Sequence, residues 1–284
     1  MRDAIRVQVP MRPPCSAALV LVFMLTTALA CASHSPPGEP TPVPYQLLAP
    51  SVDRADVSEV ERRGYDIYLR DVVANRGTDA ARFETDLAAS GAIGWIVVPY
   101  ERGMLMRFID REERSVIDVS VDPHAALSPY VVTNSPPKSL SERERSMWRA
   151  RELVADQPFE ACSDRYNSVI IPASDEPDSE WLVYMLAATI DPNLLVLGGH
   201  HRFRVDPKGK QVLEHTPLSK SCVAMMHTDT TVSIAISLAV SPEPLETHAY
   251  FNLLHAIPLR VFTVGERNRV WQIEGGRIRE QDAD

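Results

Sequence analysis

The sequence predicts an α+β fold: a largely antiparallel sheet built from meanders and hairpins, with three to four helices packed on it. Three observations carry this expectation. Short β-branched segments follow one another across charged or glycine-containing turns. Stretches with helical period stand between groups of strands rather than alternating with single strands. The chain of 284 residues is 45% hydrophobic and 24% charged, enough apolar material for a globular core without needing metals or disulfides.

The elements follow in order. Asp56 to Asn75 reads as a helix with Val60, Ile67 and Val72 near one face, and a short helical piece is expected at Asp79 to Ala89. Ala92 to Pro99, Met104 to Ile109 and Ser115 to Val121 read as a three-strand meander. A second helix is expected from Leu140 to Ala155. Ser139 and Ser141 each have a glutamate three residues on, at Glu142 and Glu144, the pattern in which hydroxyl and carboxylate satisfy each other's exposed backbone N–H groups. Strands are then expected at Ser168 to Pro172, Trp181 to Thr189, Leu194 to Val205, Lys210 to His215 and Val232 to Val240. Ser241 and Pro242 suit the start of a helix running to Ala256, because serine caps and proline fits the first helical position. Strands at Leu259 to Val264 and Arg269 to Ile273, with a Gly275-Gly276 turn into Arg277 to Arg279, complete a single domain spanning 51–284. A sub-lobe boundary is placed near 157–165.

Residues 1–30 do not belong to that domain. Arg2, Arg6 and Arg12 precede an apolar run from Ala17 to Ala30, too short for the ~20 residues of a membrane-spanning helix, and it ends in the small residues Ala28-Leu29-Ala30. This is the order of a secretory signal peptide. Residues 31–50 contain six prolines and one formal charge and read as an extended tether. The junction Ala28-Leu29-Ala30-Cys31 resembles the lipobox of bacterial lipoprotein precursors, departing from it at Ala28, where leucine is usual. The resemblance covers only this junction. It implies that Cys31 is lipidated and becomes the first mature residue, and Ala32 rather than aspartate after it implies the outer membrane, with the domain facing the periplasm. Simple secretion into the periplasm is the alternative.

Cysteine parity bears on that choice. Cys15 leaves with the signal, and lipidation of Cys31 leaves Cys162 and Cys222 as a pair. In an oxidising compartment the pair is expected as a disulfide closing a loop of about sixty residues, with two buried thiols as the alternative. Removing residues 1–30, which carry a net charge of +2, turns the −9 of the whole chain into −11. Such acidity argues against nucleic acid as a partner, since phosphate neutralisation needs clustered lysine and arginine.

Reaction motifs are scarce. Asp206-Pro207-Lys208-Gly209 suits a hairpin turn that would set Asp206 opposite Lys210 and so Phe203 opposite Leu213, Arg202 opposite Glu214 and His201 opposite His215. Two cross-strand imidazoles could hold a metal if a third ligand joined them, so His201 and His215 are the candidate metal ligands; strand histidines at a polar hairpin end are the plainer alternative. His200 points to the other face from His201, and His248 and His255, two helical turns apart, read as surface or core-edge residues. Ser135-Pro136-Pro137-Lys138 matches S-x-x-K by letters, but its prolines bar the helical turn that chemistry needs. Gly198-Gly199 marks a bulge or a close ligand approach. No cofactor is expected. The expected function is a lipid-anchored, non-catalytic binding or interaction module of the cell envelope, its partners the membrane through the anchor and an envelope protein. The alternative is a periplasmic hydrolase or metal enzyme assembled from dispersed residues such as His201, His215, Asp122 and His124.

Overall fold

The computed structural model describes residues 58–101, 103–125, 129–264 and 268–281. The expected signal peptide, the tether and Cys31 lie outside the described residues. Within them the fold is the expected α+β type, with helices packed on mostly antiparallel sheets.

Helix α1 (Glu59–Glu84) starts at Ser58, whose hydroxyl accepts from the Glu61 N–H at 3.3 Å while the Glu61 carboxylate accepts from the Ser58 N–H at 2.7 Å. The two helical pieces expected here are one continuous helix. Gly77 does not break it; a Cβ there would lie 2.6 Å from the Met106 Sδ, so the glycine lets a strand approach the helix. Strands β1 (Gly94–Tyr100), β2 (Gly103–Ile109) and β3 (Arg114–Val121) form the expected meander. A fourth strand, β4 (Tyr130–Ser139), pairs with β3 and extends the expected three-strand meander. It contains Pro136 and Pro137, which cannot donate to a ladder and are tolerated here because β4 is an edge strand.

Helix α2 (Glu142–Ala155) is capped by Ser141 and Glu144 as expected. The second sheet takes the order β5 (Tyr166–Pro172), β6 (Trp181–Ala187), β8 (His201–Val205), β9 (Val212–Pro217). The long strand expected from Leu194 to Val205 is interrupted. Its first part is β7 (Leu194–Val196), paired with β10 (Ala224–Met226), and the chain turns at Gly199, where φ is +80°. A Cβ on Gly199 would lie 2.3 Å from the Cys162 Cβ, so the position requires glycine.

Strand β11 (Ile234–Leu238) runs parallel to β12 (Leu259–Thr263), with helix α3 (Glu246–His255) in the connection; it is the one parallel pair among the described residues. Strands β13 (Arg269–Glu274) and β14 (Arg277–Gln281) complete this sheet. Helix α3 starts later than Ser241 because Pro244 disfavours helical geometry at Glu243; Leu245 becomes the cap residue, its N–H donating to His248 Nδ1 at 2.9 Å. No helix among the described residues is long and apolar enough to cross a membrane.

Three apolar clusters hold these parts together. Ile67, Val72 and Val73 of α1 pack with Met106, Phe108, Val119, Ile171 and Tyr250, joining the first two sheets through α1. Met147, Trp148 and Val154 of α2 pack with Ile96, Ile170, Val183 and Phe203. Phe251 of α3 packs with Leu195, Ile234, Leu259 and Ile273. The helices α1 and α3 touch at Gly64, where a Cβ would lie 2.6 Å from the Ala249 Cβ and 2.7 Å from the Glu246 carbonyl oxygen.

A Gly64→Ala variant therefore forces two helix backbones apart. Alanine at an exposed helix position would stabilise, whereas here a loss of roughly 1–3 kcal/mol is expected, read as a lower urea midpoint at unchanged slope.

Candidate functional site

The residues singled out by sequence fall into two groups. Cys162 and Cys222 form the disulfide, their Cα atoms 5.3 Å apart, tying the segment before β5 to the one before β10. His201 and His215 meet as well, with Nδ1 of His201 3.1 Å from Nε2 of His215, but not through the expected register. Asp206 sets the difference. Its carboxylate accepts from the N–H groups of Lys208, Lys210 and Gln211, and its own N–H donates to the Gln211 carbonyl at 2.9 Å, so the turn is larger than expected. A further shift between Arg204 and Val205 sets Phe203 opposite His215, Arg202 opposite Thr216 and His201 opposite Pro217.

The hydrogen bonds fix the protons on this pair. His201 Nε2 lies 3.1 Å from the Glu160 carbonyl, which only accepts, so Nε2 carries the proton and Nδ1 accepts from His215 Nε2. The Phe203 ring stacks on His215 at 4.2 Å, and Phe159 lies 4.6 Å from His201. Burial lowers both histidines below their ordinary value. Both nitrogens of His201 are thus engaged within the protein, and among the described residues no group of three His, Cys, Asp or Glu side chains stands ready for a metal. Asp122 and His124 follow β3 in the other sheet, where the Asp122 carboxylate accepts from the His124 N–H at 2.8 Å.

Two further histidines are structural in a way the sequence did not reveal. His200 accepts the Ala187 N–H on Nδ1 at 3.0 Å, and His248, expected at the surface or core edge, is buried as the cap of α3. Burial first, then their mutual repulsion for His200, holds His200 down to about 4; burial, against the pull of Glu246, holds His248 down to about 4. Nearby, Glu246 accepts from Tyr184 Oη at 2.8 Å and from Arg202 Nη1 at 2.7 Å. Burial pushes the Glu246 carboxyl up, but the Arg202 cation and these hydrogen bonds outweigh it and leave it below the ordinary carboxylate range. Asp71 of α1 accepts from Tyr250 Oη at 3.0 Å and from Asn167 Nδ2 at 3.4 Å, and burial raises it despite both bonds.

A cleft of about 370 Å³ lies where β1, the first turns of α2 and the β5–β6 hairpin come together. Its apolar walls are Val97, Val98, Pro99, Met147 and Pro172. Trp181 lines it with the Arg143 guanidinium 3.5 Å from the ring centroid, held there by Nη1 donating to the Ser179 carbonyl at 2.8 Å and Nη2 to the Ser179 hydroxyl at 3.2 Å. Arg70 also lines it. That side chain is 6% exposed, donates from Nη1 to the Asp66 carbonyl at 3.1 Å, and keeps its Nε buried without a hydrogen-bond partner. Glu144, on the same wall, is bound up in the α2 cap and in an ion pair with Arg107 at 3.0 Å. A second cavity of about 410 Å³ lies against the disulfide, lined by Ile190, Val196 and Val223 among others. No signal in the sequence linked Arg70, Arg143 and Trp181, which come from three separate elements.

Compared with protein-family models, curated proteins and solved structures, the chain matches none.

The depressed histidines give stability a direction with pH. The unfolded chain takes up protons at about 6.5 and the folded one only near 4, so this stability is complete above pH ~6.5 and is lost as pH falls toward 4. In a His248→Asn variant, whose amide oxygen can still cap Leu245, thermal unfolding between pH 7 and 4 is expected to lose on the order of 3 kcal/mol of that pH dependence.

Proposed function

We propose that the chain is a lipid-anchored cell-envelope protein whose folded body is a non-catalytic binding module facing the periplasm. The observation that carries the binding part is the cleft beside Trp181, in which apolar walls surround two guanidinium groups instead of solvent-exposed charge. Clefts of this volume and mixed lining are the usual seats of small ligands. The placement rests on the signal segment and the Ala28-Leu29-Ala30-Cys31 junction. It is supported by the Cys162–Cys222 disulfide, a bond that persists in oxidising compartments such as the periplasm. Ala32 after Cys31 favours the outer membrane, and the proline-rich tether would hold an acidic body away from anionic lipid.

Mass spectrometry of the mature protein purified from bacterial membranes tests the anchor. An amino-terminal peptide beginning at Cys31 and carrying acyl mass is expected, as is release of a Cys31→Ser variant from the mature membrane pool. A mature, unmodified Cys31 in the soluble periplasmic fraction would overturn the anchored reading.

A further inference from the structure

We propose that the cleft between β1, the start of α2 and the β5–β6 hairpin binds a small organic monocarboxylate, its anionic head met by Arg143 and Arg70 and its apolar body laid on Val97, Pro99, Met147 and Pro172. The proposal deepens the reading of the body as a binding module and does not depend on the anchor.

Charge is the first reason. Arg143 feels the Asp178 carboxylate but forms no ion pair within 4.0 Å among the described residues, and its planar group is already oriented by Trp181 and Ser179. Arg70 shares Asp66 with Arg62, at 3.6 and 3.5 Å respectively, so one carboxylate serves two cations. Glu144 is neutralised by Arg107. The charged residues that line the cleft are thus two arginines against one glutamate, in a chain that is acidic overall.

The second reason is the orphaned donor. Buried N–H groups are nearly always satisfied, and leaving one unpaired is costly. Arg70 Nε is buried and unpartnered, and the side chain that carries it lines the cleft, so a carboxylate seated against this guanidinium is the acceptor the proposal assigns to it. A carboxylate presents two oxygens in a plane that matches a guanidinium. With Glu144 paired to Arg107, the two guanidinium groups are the charges left to meet a ligand, and one carboxylate is enough to engage them. The apolar walls select a ligand with a hydrocarbon body over a bare inorganic anion.

The test titrates the disulfide-intact mature chain with decanoate and with 3-phenylpropionate, following the Trp181 indole N–H resonance, with decanamide and 3-phenylpropanamide as uncharged counterparts. Saturable one-to-one binding of at least one acid is expected, with the matching amide weaker by about tenfold or more. Which acid binds tells an aliphatic from an aromatic body. Arg143→Gln, at a half-buried position outside the cores, is expected to weaken the acid by about tenfold while leaving the amide unchanged. Arg70→Gln is expected to do the same, and Arg143→Gln decides the matter if that variant fails to fold. Absence of saturation by both acids up to millimolar concentration, equal binding of acid and amide, or an unchanged affinity in Arg143→Gln overturns the proposal. None of those results bears on acylation of Cys31, so failure of the ligand class and failure of the anchored reading remain distinguishable.

Discussion

Helix α1 meets helix α3 at Gly64, and the placement of the three larger sheets depends on that contact. Without a side chain at Gly64 the α3 backbone lies against α1, and three buried acids fasten the surroundings. Glu61 accepts from the Ile278 N–H at 2.7 Å and so ties α1 to β14. Asp71 accepts from Tyr250 of α3, and Glu246 of α3 accepts from Tyr184 and Arg202 of the second sheet. Each acid lies between elements distant in sequence, and these bonds form only when those elements dock together. Breaking a buried ion pair such as Arg202–Glu246 costs on the order of 3–5 kcal/mol, so this contact discriminates strongly against alternative packings.

The same constraint shapes the cleft. Arg70 sits on α1 one position before Asp71, so the helix that presents Asp71 to Tyr250 also carries Arg70 to the wall where β1 and the β5–β6 hairpin converge. On the other side, Trp181 is fixed by donating its indole N–H to the Ser146 hydroxyl at 3.2 Å, which sets the height of α2 against β6 and with it the place of Arg143. The two guanidinium groups are held from different elements, Arg70 by the Asp66 carbonyl of α1 and Arg143 by Ser179 in the β5–β6 connection. That is the kind of preorganised polar arrangement on which ligand affinity depends.

Much of this was legible in the sequence wherever one local rule decided the outcome. The Ser141 and Glu144 cap, the β1–β3 meander and the Cys162–Cys222 pair all follow from short-range pattern or parity. Strand β4 was hidden by Pro136 and Pro137, because an edge position that excuses proline is a tertiary fact. The β8–β9 register departs from the one the sequence suggests because three backbone N–H groups converge on the Asp206 carboxylate, which enlarges the turn beyond the one that Pro207 and Gly209 favour. The buried acids and the cleft were invisible for a deeper reason. Asp71 and Tyr250 are 179 residues apart, and nothing in either neighbourhood signals the other.

Native-state hydrogen exchange measures the central claim most directly, because it reports the opening free energy of each helix separately. If the α1–α3 contact and its buried acids bind the sheets into one cooperative body, the central amides of α1, α3 and β6 share the slowest exchange and converge on one opening free energy as denaturant rises. If α3 and strands β11 to β14 open at a distinctly lower free energy while α1 and β6 stay protected, the body is two independent units and the account is contradicted.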